Sequence, residues 1–488
     1  MPEVLEILQS ALEHQQAERL EEAEALYREV LARDPGNADA LHLLGVLACQ
    51  SQRHDLALAW IARAIALNPS ASFYHNNLGN VLQELGRSEE AILCYQEALR
   101  LEPDYAEACS NLGNALTRLG RYEEAVASAL EALRLKPDYA AAYTNLGCTL
   151  QALGRVEEAV ACHQEALRLQ SDHVDAHMNL AAALLLLGDF ERGWEEHEWR
   201  WKKKESPPRG FPQPLWDGSP LGGRKILLYA EQGLGDTIQY ARYGAPVRRK
   251  GASAVAVECQ PRLAPLLETV RGVDLVIPAG SPLPDFDVHA PLLSLPRILR
   301  TTLETVPAEV PYLSAEPACV ETWGRRMADA HGLRVGLAWG GNPDYGNDRN
   351  RSIPLEALAP LAGVPNVDFF SLQRGPAAAQ LQSSPEGFRI TNLEEEASQI
   401  TDTAAAILNL DLVIAVDTMV AHLAGALGRL VWILLPFAPD CRWLLHRNDS
   451  PWYPTARLYR QPRPDNWQAV IAEVKEALES RCRQSEKS

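Results

Sequence analysis

A spacing of 34 residues runs through the first two hundred positions, and it restricts this chain more than any other feature. Pro35, Pro69, Pro103 and Pro137 stand 34 apart, as do Gly45, Gly79, Gly113 and Gly147. Gly86, Gly120, Gly154 and Gly188 repeat the step, and so do Ala23, Ala57, Ala91, Ala125 and Ala159. Small residues at two helix-crossing sites, with Pro after the second helix, describe a unit of two antiparallel helices. One such unit cannot cover its own apolar face, so successive units must stack into a curved solenoid. Units begin at residues 38, 72, 106, 140 and 174, with a degenerate one ahead of them from about residue 4.

The last unit drifts: Ser171 replaces the expected Pro, Ala181 the Gly and Gly193 the Ala. It ends in Trp194, Trp199 and Trp201, followed by Lys202-Lys203-Lys204. A terminal unit either caps the stack or docks it on a neighbour, and the tryptophans suit both; we take them as docking surface for the next domain. Glu205 to Arg224 holds five Pro and four Gly without helical or strand period, which makes it a linker or a closely packed connector. Beyond it, β-rich runs (225–230, 254–258, 274–278, 287–291) alternate with helical stretches such as 261–270. A second series follows at 334–339, 367–372, 410–417 and 431–435, with helices expected at 402–408, 418–427 and 466–482. The expected organisation is a solenoid over 1–203, a Pro/Gly-rich linker over 204–224, and two doubly wound α/β domains over 225–325 and 326–482.

The net charge of −18 is unevenly spread: residues 1–200 carry 15 Lys and Arg against 32 Asp and Glu. That acid excess argues against a nucleic-acid partner for the solenoid and favours a basic or neutral polypeptide. Nine cysteines include no C-x-x-C pair, and five (Cys49, Cys94, Cys109, Cys148, Cys162) fall inside repeat helices. The pattern predicts a reduced, cytoplasmic protein without a zinc site. Met1 to Gln9 has two Glu and no basic region, so no signal peptide is expected. The longest apolar run, Leu180 to Leu187, is far short of a membrane span.

Chemistry concentrates at four predicted strand ends. The run KILLYA leads into Glu231-Gln232-Gly233-Leu234-Gly235-Asp236-Thr237. Gly233 and Gly235 would bring backbone N–H groups near an anion or sugar, but Ile238 breaks the dinucleotide fingerprint. Asp236 is expected at a helix N-cap, serving either as the cap alone or as a general base in a cleft. A second strand ends in Asp417-Thr418, with a helix beginning there and Gly428 closing it. His422, one turn in, shares a face with Thr418; it is either a satisfied core residue or, with the free N–H groups, a phosphate ligand. Between them lie Trp339-Gly340-Gly341-Asn342, the pair Arg349 and Arg351, and Ser371-Leu372-Gln373-Arg374-Gly375. These are either a solvated loop or a pyrophosphate site, since guanidinium forks match phosphate oxygens. Aromatic residues around Asp440-Cys441-Arg442-Trp443 and Trp452-Tyr453 either stack on a base or sugar or simply pack.

Two resemblances follow from these residues. The 34-residue pattern is the tetratricopeptide signature, and repeats such as YHNNLGNVLQELGRSEEAILCYQEALRLEPD resemble the array of O-linked N-acetylglucosamine transferases. Asn77, Asn111, Asn145 and Asn179, at repeat position 6, resemble that family's asparagine ladder, which implies a groove holding an extended polypeptide by its backbone; Leu43 interrupts it in the first full unit. A row of amides can pair with peptide groups regardless of sequence, and Asn is also a common filler at this position. Residues 225–480 resemble the heptosyltransferase-type glycosyltransferases (family 9), through EQGLGDTIQYARY and DLVIAVDTMVAHLAGALG. That resemblance implies a two-domain GT-B fold, Asp236 as base, and Asp417, Thr418 and His422 beside the donor phosphates. Met419-Val420 stands where that family often has Gly-Pro.

The expectation is an inverting glycosyltransferase that needs no metal, since no D-x-D pair suited to a metal–phosphate complex is read in the second half. Its donor would be a nucleotide sugar held by Asn342, Arg349 or Arg351, Gln373 and the Thr418 helix. The acceptor would be a polypeptide or saccharide, with a protein partner recruited through the repeats. A scaffold with a degenerate sugar-nucleotide domain is the alternative, and a nicotinamide dehydrogenase a distant third.

Overall fold

The computed structural model describes residues 2–203, 207–395, 397 and 399–485; Lys204 and the first two positions after it lie outside the described residues. The chain divides into two compact units, Met1–Ala183 and Leu184–Ser488.

Helices pair as the period requires: α1 and α2 (Pro2–Gln16, Leu20–Arg33), α3 and α4 (Ala38–Gln50, His54–Leu67), α5 and α6 (Ser72–Glu84, Ser88–Leu101). Then come α7 and α8 (Ala106–Arg118, Tyr122–Leu135), α9 and α10 (Ala140–Ala152, Val156–Leu169), α11 (Val174–Leu187) and α12 (Phe190–His197). The two families of glycine have different causes. A Cβ on Gly79 would stand 2.5 Å from the Tyr95 ring and one on Gly147 2.4 Å from His163, so glycine lets paired helices touch. Gly86, Gly120 and Gly154 instead adopt φ of 73°, 77° and 75°. That left-handed turn past the first helix strains a side chain by roughly 1 kcal/mol.

The second unit contains two parallel sheets. β1 (Lys225–Tyr229), β2 (Ala254–Cys259), β3 (Leu275–Pro278) and β4 (Val288–Pro291) lie in the order β3-β2-β1-β4. β1 pairs Lys225 with Ala254 on one side and Ile226 with Val288 on the other. β5 (Leu333–Ala338), β6 (Val367–Ser371), β7 (Ile390–Asn392), β8 (Leu412–Val416), β9 (Val431–Leu435) and β10 (Ala456–Arg460) lie in the order β10-β9-β8-β5-β6-β7. β8 and β9 are buried along their whole length, as central strands covered on both faces must be, which is why they read as unbroken apolar runs. β7 and β10 had no such signature: each is an edge strand, β7 only three residues long and β10 interrupted by Arg457.

The predicted 261–270 helix is shorter than expected, running only from Ala264 to Leu267. Thr269 returns its hydroxyl to the Leu266 carbonyl and accepts from Ser314 N, a side-chain alternative to continuing the helix. The described part of the 204–224 segment is a packed connector: Trp216 is buried and donates its backbone N–H to His289 O at 2.8 Å. Trp194 is also buried, edge-on to Phe190 and Tyr240, while Phe190 stacks on Trp452. Trp194 thus packs within the second unit; Trp199 and Trp201 are half-buried. One apolar cluster joins Phe190 and Trp194 to Ile226 and Leu228 of the first sheet and Val413 and Ile433 of the second.

Candidate functional site

Strand order locates the site. In the first sheet β2 and β3 lie to one side of β1 and β4 to the other; in the second, β6 and β7 lie to one side of β5 and β8 to the other. Where winding reverses, the connecting helices depart to opposite faces and leave a crevice at the strands' carboxyl ends. The loops after β1, β5 and β8 meet there and line a single cleft of about 660 Å³. Gly233, Gly235, Asp236, Asn342, Arg351 and Gln373 line it, together with Asp417, Thr418 and His422. Arg349 is exposed and is not among the lining residues.

Asp236 is not the N-cap expected of it. The helix Leu234–Ala241 is capped by Gly233, and Asp236, in its first turn, accepts from Gly233 N at 3.1 Å through Oδ2. Its Oδ1 accepts from Arg442 Nη2 at 2.8 Å. Gly235 has a packing reason beyond any anion loop: a Cβ there would lie 2.8 Å from His422 Cδ2, where the 234–241 helix meets the helix Met419–Ala426.

His422 is held on every side. Its Nδ1 lies 2.9 Å from Tyr453 Oη, its Nε2 lies 3.2 Å from Arg442 Nη1 and 3.7 Å from Asp417 Oδ1, and its ring stacks on Trp443. Arginine can only donate, so Nε2 accepts and Nδ1 carries the proton toward Tyr453. Burial pushes this imidazole below its ordinary value, which keeps it neutral. The ring is therefore a strut for Arg442, not the phosphate ligand expected of it. Gln373 is corrected likewise. Its Oε1 accepts from Trp339 N and Gly340 N, both at 2.8 Å, and its Nε2 donates to Gly340 O and Arg374 O, so it clamps the turn after β5.

Arg351 donates from Nη1 to Asp417 O at 2.9 Å and from Nε to Asp348, and lies over the Tyr345 ring at 4.5 Å. Thr418 is the N-cap of the 419–426 helix, yet its Oγ1 is buried without a partner among the described residues. Arg262, after β2, lines the same cleft; it makes no hydrogen bond among the described residues, and its charge acts on the Glu394 carboxylate. Sequence reasoning passed over Arg262, which sits in no recognisable motif, and named Arg442 only as part of an aromatic-rich loop, without a role for its charge. Trp443, Trp452 and Tyr453 are almost fully buried, so of the two roles open to these aromatics they take packing. Glu231, at the head of the glycine motif, holds the buried Arg200 at 3.0 Å; burial raises its carboxyl despite that partner.

No group of three or more His, Cys, Asp or Glu placed to hold a metal occurs among the described residues. The second half does contain one D-x-D, Asp285-Phe286-Asp287. It stands at the amino end of β4, where Asp287 accepts from Lys225 N, at the opposite edge of the sheet from the cleft. The nine cysteines are free thiols, and no helix among the described residues is long and apolar enough to cross a membrane.

In the first unit, the four asparagines reach back to the preceding repeat. Asn77 Nδ2 meets His42 Nε2 at 2.8 Å, and Asn111 Nδ2 donates to Asn76 and Asn80 at 3.0 and 3.1 Å. Asn145 Nδ2 reaches Ser110 Oγ at 2.9 Å and Asn179 Nδ2 reaches Cys148 Sγ at 3.1 Å. The amide donors thus stitch repeat to repeat, and what the ladder leaves open is carbonyl oxygen: those of Asn111, Asn145 and Asn179 have no partner among the described residues.

Fold and site define the class: an array of tetratricopeptide repeats, a scaffold for binding other proteins, followed by an α/β unit with parallel sheets and a crevice at their strand ends. The tetratricopeptide repeat models match residues 8–72, 76–140 and 140–173. Protein FlbA of Caulobacter vibrioides is 29% identical over 312 residues, covering 59% of this chain and 52% of that protein, so the chain spans about half that relative's length. Among solved structures, YrrB, described as a tetratricopeptide protein with an unusual peptide-binding site, is 25% identical; it covers 35% of this chain and 88% of its own, with a TM-score of 0.29. A thermophilic tetratricopeptide protein of Thermus thermophilus is 23% identical, covering 37% of this chain and 99% of its own, with a TM-score of 0.34.

Proposed function

We propose that the second unit is a GT-B glycosyltransferase of the heptosyltransferase type, transferring a sugar from a nucleotide-sugar donor to a polypeptide or saccharide acceptor recruited by the repeats. One observation carries the reading: a carboxylate after β1 and the open N-terminus of the helix after β8 line the same crevice. The EQGLGD and DTMVAHLAG motifs that resemble family 9 enzymes are the two segments concerned.

In this scheme Asp236 takes the proton of an acceptor hydroxyl as that oxygen attacks the anomeric carbon from the face opposite the leaving group. The anomeric C–O bond breaks, its electron pair departs on the nucleoside diphosphate, and configuration inverts. Negative charge developing there faces the backbone N–H groups of the 419–426 helix and the unpartnered Thr418 hydroxyl. Arg262 supplies a further guanidinium with no hydrogen-bonded partner among the described residues.

A thermal-shift panel of UDP-, GDP-, ADP- and CMP-sugars tests the donor. A true donor at a hundredfold excess over its Kd stabilises by about 2.7 kcal/mol, whereas none shifting the transition refutes the reading. Asp236→Asn, folded as judged by circular dichroism, should lose transfer while keeping donor binding; undiminished transfer removes Asp236 from the mechanism. Donor binding by the parent chain without any turnover would instead favour an adaptor with a sugar-nucleotide pocket, a reading to which the Asp236–Arg442 pair lends support.

A further inference from the structure

The Asp236–Arg442 pair poses a difficulty for the scheme above: the carboxylate oxygen that would take the acceptor's proton already accepts a guanidinium hydrogen bond at 2.8 Å. We propose that Arg442 couples donor binding to the freedom of Asp236, serving as the carboxylate's counter-ion in the empty cleft and as a phosphate ligand in the filled one. This rests on the donor reading given above.

The geometry assigns different tasks to different edges of the guanidinium. Arg442 donates from its backbone N and from Nε to Asp440 Oδ1, at 3.0 and 2.8 Å. Its Nη1 donates to Gln239 Oε1 at 2.9 Å and to His422 Nε2 at 3.2 Å. These contacts fix the plane of the group from three elements, and the Arg442 charge and hydrogen bonds in turn hold Asp440 ionised against the cost of its burial. Nη2 is bonded to Asp236 Oδ1 at 2.8 Å, with Asp440 Oδ2 farther off at 3.4 Å. Side chains 236 and 442 are 17% and 16% exposed, and both face the cleft.

A phosphate oxygen entering the cleft therefore meets a guanidinium that need not move. It has one bond to displace, and displacing it leaves Asp236 anchored only by Gly233 N, with Oδ1 open to an acceptor hydroxyl. Because phosphate and carboxylate compete for Nη2, the coupling is reciprocal: Asp236 weakens diphosphate binding by the factor that diphosphate weakens the ion pair. His422 and Gln239 are positioning residues here, keeping Nη1 occupied so that only Nη2 is offered.

The test is calorimetric titration of UDP, GDP, ADP and CDP into the full chain, its Asp236→Asn and Arg442→Met variants, and the double variant. For the nucleotide that binds, Asp236→Asn should tighten affinity about five- to tenfold, and the same change on the Arg442→Met background should alter it less than about twofold. An equal gain on both backgrounds means simple charge repulsion and overturns the coupling; so does unaltered affinity in Arg442→Met. Should Arg442→Met fail to fold, because Asp440 loses its partner, Arg442→Lys is read the same way: one ammonium cannot serve Asp440 and the Nη2 position together. Absence of binding by all four nucleotides to the parent chain overturns the donor reading and the coupling with it, whereas binding without the predicted pattern overturns the coupling alone.

Discussion

Gly235→Ala separates two explanations for the glycine motif. If the glycine exists to let backbone approach an anion, the substitution should weaken nucleotide binding and leave the fold unaffected. The structure points to helix packing: the new Cβ would stand 2.8 Å from His422 Cδ2, 3.5 Å from Nε2 and 3.7 Å from Met419 Cα. The ring has nowhere to go, being bonded at both nitrogens, stacked on Trp443 and 2% exposed. The two helices must therefore part by a few tenths of an ångström. Overpacking of this kind costs about 1–3 kcal/mol, partly offset by roughly 0.5–1 kcal/mol from replacing glycine by alanine in a helix. The expected net loss is about 1–2 kcal/mol, or a fall of roughly 2–4 °C in melting temperature for a unit of this size. Thermal unfolding by circular dichroism measures it, and a double-mutant cycle with His422→Ala identifies its source. On the His422→Ala background the clash is gone, so Gly235→Ala should be neutral or slightly stabilising, a coupling of about 1–3 kcal/mol. Coupling near zero, or an unchanged melting temperature with lost nucleotide binding, refutes the packing argument.

Asn111→Ala removes two inter-repeat hydrogen bonds, although Asn80 Oδ1 keeps the one it accepts from Tyr95 Oη, so it should destabilise the first unit by about 1 kcal/mol in denaturant unfolding. An unaltered midpoint would mean that the ladder does not stitch the repeats. His163 is fully buried beneath Gly147 with neither ring nitrogen bonded among the described residues, and burial lowers it from 6.5 to about 4. The unfolded chain therefore binds a proton between pH 6.5 and 4 that the folded chain refuses, and stability contributed above pH 6.5 drains away as pH falls toward 4. His163→Leu should flatten that slope by up to about 3 kcal/mol, measured as chemical denaturation across the window; a slope identical to the parent's would place the ring in contact with water.

The legible parts of the molecule share one property: their causes are local. Gly86, Gly120 and Gly154 announce a left-handed turn whatever surrounds them, and the runs 412–416 and 431–435 announce strands because both faces are covered. Edge strands 390–392 and 456–460 carried no equivalent mark, since one side of each lacks a neighbour. Asp236 was singled out correctly as a cleft residue, but its place in the helix was misjudged because Gly233, which has no side chain to signal a cap, starts that helix one residue before Leu234.

Sequence alone determined the repeat, the two-helix unit and the alternation of strand and helix, because spacing acts through backbone geometry within a few turns of chain. Only tertiary structure decided which polar groups remain available. Gln373 and His422 were plausible ligands until Trp339, Gly340, Tyr453 and Arg442 took up their bonding capacity. Arg442 lies 206 residues from the carboxylate it holds. A hydrogen bond depends on distance and direction in space, and nothing in the order of residues records either across such a separation.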